Sequence, residues 1–144
     1  REVFESEGLE GASIRAIAAR AGYTAAALYF YFDSKEAVYA ELLRISLSEL
    51  GSAVNDAVSG ARSPEARLRA AAMAFYQFYA DNPRDLDLGF YLFRGGMKPV
   101  GLGKERDKAL NAALEAALHP IAEAAEALGA SRDEANLLMV DVFA

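Results

Sequence analysis

"GASIRAIAARAGYTAAALYFYFDSKE", residues 11–36, decides the reading of this chain. Ser13 and Thr24 each precede a helix-like run and can accept a hydrogen bond from an unpaired backbone N–H of a first turn. In the first run Ile14, Ile17, Ala18 and Ala21 fall on one face, with Arg15 and Ala19 turned away. In the second, Leu28 and Phe32 take the side that meets Ile17 and Ala18. Ala26, Ala27 and Phe30 are left facing outward, with Tyr29 and Tyr31 on opposite flanks. Gly22-Tyr23-Thr24 joins the runs, with glycine where a left-handed residue is needed. The pattern is that of a helix-turn-helix.

An outward face of alanines lets a helix come close to another surface. The major groove of DNA accepts a helix of this girth, where small side chains touch a thymine methyl and tyrosine hydroxyls bond phosphate oxygens. The competing reading of the same spacing is an ordinary helical hairpin with some exposed aromatics. Spacing alone leaves both open.

Around this stretch the composition narrows the class. The chain has 144 residues, 53% of them hydrophobic, enough for one well-packed domain or a small module fused to a larger one. Apolar residues three and four apart recur through an alanine-rich sequence with no sustained alternation, which predicts an all-α protein. The absence of cysteine excludes disulfides, thiolate-bound zinc and a thiol nucleophile. A single histidine leaves little for a histidine-based metal site or triad, so no cofactor or metal is expected. No run of 18 uncharged apolar residues occurs, so no membrane partner is expected either. A net charge of −6 argues against general polyanion binding, yet residues 13–35 carry three cations (Arg15, Arg20, Lys35) against one anion, Asp33. Both ends read as trimmed.

Helix punctuation is regular elsewhere too. Ser34, Ser63, Asn82 and Ser131 are further start signals, with proline at the first helical position after Ser63 and Asn82 and a capping box in Ser131–Glu134. Gly8, Gly22, Gly60, Gly95-Gly96 and Gly129 are stop signals. Helices are predicted near 1–7, 14–21, 25–32, 35–58, 64–80, 83–94, 104–128 and 132–144, with residues 95–103 as the one long connection. His119-Pro120 predicts a kink or break, because proline crowds the carbonyl of Ala116.

Residues 11–43 closely resemble the DNA-binding segment of the TetR family of transcriptional regulators. The ordered matches are Phe4 and Gly8, Ser13-Ile14-Arg15, Ile17-Ala18, Ala21-Gly22, Leu28-Tyr29, Phe32 and Ser34-Lys35-Glu36. The resemblance implies that Arg15 reaches a base edge or phosphate, that Thr24 caps the recognition helix, and that Ala25, Ala26 and Ala27 lie in the groove with Phe30 beside them. Tyr29, Tyr31 and Lys35 would hold phosphates. The family usually carries polar residues or glycine where the three alanines stand. Direct base hydrogen bonding is thus left to Arg15 and the backbone, with DNA shape as a second source of specificity. The family's first helix also starts well before its phenylalanine, so this one is shortened. The boundary is set at residues 1–46 for the helix-turn-helix DNA-binding domain and 47–144 for a helical effector-binding and dimerisation domain.

In the second module the aromatics cluster: seven of the 15 lie between Phe75 and Phe93. They are either core or the walls of an apolar pocket with hydroxyl handles. Similar regulators bind small, often hydrophobic effectors in such a pocket, with Tyr76, Tyr79 and Tyr91 as candidate polar contacts and Met73, Phe75, Phe90, Phe93 and His119 as further lining. The family also implies a homodimer through the last two helices, presenting two recognition helices to a palindromic operator of double-stranded DNA. The leading expectation is a cytoplasmic, ligand-responsive repressor and not an enzyme, since no nucleophile and base are paired in sequence. Asp81, Asp85 and Asp87 read as helix-end and solvated charges. The alternative is a DNA-binding protein whose second module is a dimerisation scaffold without an effector.

Overall fold

Hydroxyl caps set most of the helix starts. The computed structural model describes residues 1–92 and 101–143, and all regular structure among them is helical. The order is α1 (Glu2–Gly11), α2 (Ile14–Ala21), α3 (Ala25–Tyr31), α4 (Lys35–Ser59), α5 (Pro64–Asp81), α6 (Pro83–Leu92), α7 (Lys104–Ala127) and α8 (Arg132–Phe143). Ser13, Thr24, Ser34 and Ser63 accept from the N–H groups of Ala16, Ala27, Ala37 and Ala66. At α8 the capping box closes both ways: Ser131 Oγ accepts from the Glu134 N–H at 3.3 Å, and the Glu134 carboxylate accepts from the Ser131 N–H at 2.8 Å. Those bonds hold the Glu134 carboxyl below its ordinary range. Asn82 precedes α6 as expected, with Pro83 at the first helical position, and it serves α5 as well. Its amide donates back to the Phe78 carbonyl at 2.8 Å, so it closes α5. Gly8 breaks the helical path of α1 at φ 67°, a conformation that glycine alone adopts without strain. Gly95 and Gly96 lie outside the described residues.

The core is built on α4, which packs against both α5 and α7. Tyr39, Leu43, Leu47, Leu50 and Val54 follow the helical period down its inward face. They meet Ala71, Phe75 and Tyr79 of α5 and Leu110, Leu114, Ala117, Leu118 and Ile121 of α7. Small residues bring two of these helices close: a methyl group at Gly51 would already touch Ala117 Cβ at 3.6 Å. Ile45 stands at the surface of α4, while Ser46 and Leu47 take the interior. α4 runs unbroken across residues 46 and 47, the expected domain boundary.

α7 continues through Pro120 without the expected break. Proline removes one helical hydrogen bond, but Leu118 and Ile121 on either side are fully buried and hold the helix in register. The apolar seam of α7, Leu110, Leu114, Leu118 and Ile121, is buried where α7 packs against α4 and α5. α8 then covers Ala122 and Ala125 of α7 with Ala135, Leu138 and Met139. No helix among the described residues is long and apolar enough to cross a membrane.

Candidate nucleic-acid interface

α3 is only seven residues long, too short to persist by itself in water. Three things hold it. Thr24 caps it, Leu28 and Phe32 pack on the side facing Ile17, and Gly22 at φ 75° turns the chain between α2 and α3. None of its residues is fully buried. Ala26, Ala27, Tyr29, Phe30 and Tyr31 are all exposed, Phe30 at 83% and Tyr31 at 76%, and Ala25 is half-buried. The Phe30 and Tyr31 rings meet edge to face at 5.2 Å, so each props the other outward. Tyr23, which sequence reasoning left out of the site, is also exposed in the turn beside them. Its signal was available, as an aromatic in a turn that has no inward face.

The cations around this face are not equivalent. Arg15 is exposed on α2 and makes no ion pair with any described residue. Arg20 is committed to Glu2, whose carboxyl it holds below its ordinary range, chiefly by hydrogen bonding. Lys35, expected on a phosphate, donates to the Glu10 carbonyl at 2.8 Å. A lysine at the first position of α4 lies within reach of the end of α1, and that acceptor is fixed. Ala21, placed by its spacing on the inward face of α2, is exposed because the helix ends there.

Behind the face, contacts distant in sequence tie the helix-turn-helix to the rest of the chain. Arg106, near the start of α7, donates from Nη2 to both oxygens of Asp33 at 2.7 and 2.9 Å. Asp33 lies two residues past the end of α3, and the Ser34 hydroxyl together with Arg106 keeps its carboxyl below the ordinary range. At the other end Arg1 pairs with Asp85 of α6 at 2.8 Å. Asp85 is 3% exposed, so it is a buried ion-paired carboxylate and not the solvated charge expected from its place near a helix end. The Tyr39 hydroxyl donates to the Leu88 carbonyl at 2.6 Å, and its ring meets Phe4 edge to face at 4.9 Å. An open cleft of about 250 Å³ runs between α1, α4 and α6 alongside these contacts.

The residues expected to line an effector pocket fall on two faces of α5 and at the surface of α7. Phe75 and Tyr79 are buried and meet edge to face at 5.1 Å. Burial, with the Asp85 carboxylate nearby, pushes the Tyr79 phenol up to about 12. Met73 and Tyr76 point the other way and are exposed, Tyr76 at 67%, because α5 turns its Ala71, Phe75 and Tyr79 face inward. His119 is likewise on the surface, 3.4 Å from Glu123 one turn on. Leu86 of α6 is exposed, since Asp85 and Leu88 occupy the inward face. The side chains of Phe90 and Tyr91, and Phe93 entirely, lie outside the described residues. No metal-binding group of three acidic, histidine or cysteine residues occurs among the described residues.

Residues 1–42 match the family model "Bacterial regulatory proteins, tetR family". The chain is 38% identical over 77 residues to the HTH-type transcriptional activator FasR of Mycolicibacterium smegmatis, covering 54% of this chain and 35% of that protein. It is 33% identical over 75 residues to the HTH-type transcriptional repressor KstR2 of Rhodococcus jostii, covering 52% and 37%. The chain thus spans little more than a third of the length of these curated relatives. Two crystal structures share the fold. One is the TetR family regulator PfmR of Thermus thermophilus, with TM-score 0.71, 21% identity and coverage of 88% of this chain and 65% of that one. The other is a tetR-family regulatory protein of Rhodococcus, with TM-score 0.77, 20% identity and coverage of 98% and 75%. The resemblance read from residues 11–43 and the all-α fold are both borne out.

Proposed function

We propose that this chain, a TetR-family member by its N-terminal segment, is a DNA-binding transcriptional regulator that docks α3 in the major groove and answers to a small effector. The observation that carries the reading is the outward face of α3: alanines thin enough for close approach, flanked by exposed tyrosine hydroxyls, with the unpaired Arg15 beside it. Arg15 and Tyr29 hold the duplex, Thr24 sets the first turn of the reading helix, and Ala25, Ala26, Ala27, Phe30 and Tyr31 face the groove. Two copies related by a two-fold axis would set two α3 helices about 34 Å apart on a palindromic operator. α8 leaves Leu137 exposed for that pairing, and Leu128 stands exposed just past α7. The regulator works in the cytoplasm, with its operator.

The test is selection of duplexes from a random pool, followed by titration of the selected duplex at several salt concentrations. Affinity is expected to fall steeply with salt, and both Arg15→Ala and Tyr29→Phe to weaken it, the former with a shallower salt slope. No enriched duplex, or unchanged affinity in both variants, would count against the placement.

Two buried oxygens, one on α4 and one on α7, are polar handles of the kind a small effector would use. Ser46 Oγ and Asn111 Oδ1 have no hydrogen-bond partner among the described residues, and an unsatisfied buried polar atom costs about 1–3 kcal/mol. A bound small molecule with donor groups would satisfy them. In the repressor reading, the effector prefers a spacing of the two reading helices that no longer fits successive grooves. The outward turn of Met73, Tyr76 and His119 favours the second reading, a dimerisation scaffold without an effector. A thermal-shift screen separates the two, since an occupied site raises the melting temperature.

The Arg106–Asp33 pair is the route by which a shift of α7 reaches α3. Arg106→Gln is expected to speed amide hydrogen exchange in residues 25–34, Asp33→Asn to do the same, and the double variant to go no further than either single one. Exchange measured by mass spectrometry checks this, and additive effects would show that the two residues act separately.

A further inference from the structure

Every side chain that could read a base edge by paired hydrogen bonds is missing from α3. Its seven residues are three alanines, a leucine, a phenylalanine and two tyrosines, with no amide, carboxylate or guanidinium. The Thr24 hydroxyl at its start accepts from the Ala27 N–H and is occupied as a cap. The tyrosine hydroxyls sit on the two flanks, toward the phosphate walls of a groove.

What remains at the centre is apolar. Successive residues of a helix step by 100°, which places Phe30 between Ala26 and Ala27 when viewed down the axis. Phe30 is the most exposed large apolar side chain described, and its edge-to-face contact with Tyr31 keeps the ring from folding back onto the helix. A surface with that much exposed aromatic area marks a contact site. In the major groove the one apolar group that distinguishes a base pair is the C5 methyl of thymine.

We infer that α3 reads thymine methyl groups, with Phe30 as the specificity-determining residue and Ala26 and Ala27 as the floor that lets the methyl approach. This rests on the DNA-binding reading above and adds to it the chemistry of the half-site. Arg15 and the tyrosines then supply register and affinity, while apolar contact supplies sequence preference.

The experiment uses the full chain and the duplex selected from a random pool. Each thymine is replaced in turn by uracil, which removes the methyl and leaves every hydrogen-bonding group in place. Affinity is expected to fall about fourfold for each contacted methyl and about fifteenfold for a symmetric pair, the size expected for losing one buried methyl per half-site. Restoring a methyl at the same C5 position through 5-methylcytosine, compared with cytosine, should recover a similar factor. Phe30→Ala should bind the thymine and uracil duplexes equally, and Phe30→Leu should keep part of the difference; circular dichroism confirms that both variants fold. Equal binding of thymine and uracil duplexes at every position by the unaltered chain would overturn the inference while leaving DNA binding intact. Failure to enrich any duplex would overturn the regulator reading itself.

Discussion

Ala27→Glu is expected to lower affinity for the selected duplex by about a hundredfold, close to 2.7 kcal/mol, without weakening the fold. The two effects part because of where Ala27 stands. Its N–H donates to Thr24 Oγ at 3.2 Å, so it occupies the third position of α3 behind a threonine cap. Threonine followed three residues later by glutamate is a capping box, and a carboxylate in the first turn also suits the helix dipole. The substitution therefore favours the helix that it disables. Toward DNA the same carboxylate faces a groove walled by phosphates and loses its water on docking, a cost of about 1–3 kcal/mol before any repulsion is counted. Melting temperature and duplex titration on one preparation check both halves. Undiminished binding, or a clear loss of stability, would each contradict the orientation of α3.

The local structure was legible because its determinants are local. Ser13, Thr24, Ser34, Ser63 and Ser131 cap helices within three residues of themselves, and Gly22 turns the chain within its own dihedral angles. The outward set on α3 followed from the 100° step alone. What failed depended on partners far away in sequence. Asp85 reads as a solvated helix-end charge until Arg1, 84 residues distant, is folded against it. Asp33 likewise gives no hint of Arg106, 73 residues on.

The aromatic cluster was legible only as a choice between core and pocket. Hydrophobic bulk on both sides of α5 shows that one side is left out of the core but does not say which. Met73 and Tyr76 already shared a separate face from Phe75 and Tyr79, and α4 and α7 chose the latter. The apolar seam of α7 is buried in the same core, and periodicity records that a stripe is buried and not what buries it.

That seam carries the second large effect. Leu118→Ala is expected to destabilise the chain by about 3 kcal/mol, within the range of about 2–5 kcal/mol for emptying a packed leucine site. Leu118 has no exposed surface and sits on α7, which packs against both α4 and α5. Collapse into the space is hindered from two directions. Pro120, two residues on, already removes one hydrogen bond from this turn of α7, so packing carries more of its register than in an ordinary helix. On the facing side α4 is pinned by Leu47, Leu50 and Val54, each essentially without exposed surface. For a domain of this size a loss of that order lowers the melting midpoint by about 10 °C, and it takes a large share of a total stability of about 5–15 kcal/mol. Leu118→Met, which keeps the volume, should cost less than about 1.5 kcal/mol. Denaturant titrations of both variants check the pair. If alanine cost no more than methionine, the three-helix contact around Leu118 would be looser than its burial requires, and α7 would be a poor carrier of any signal from the proposed effector site to Asp33.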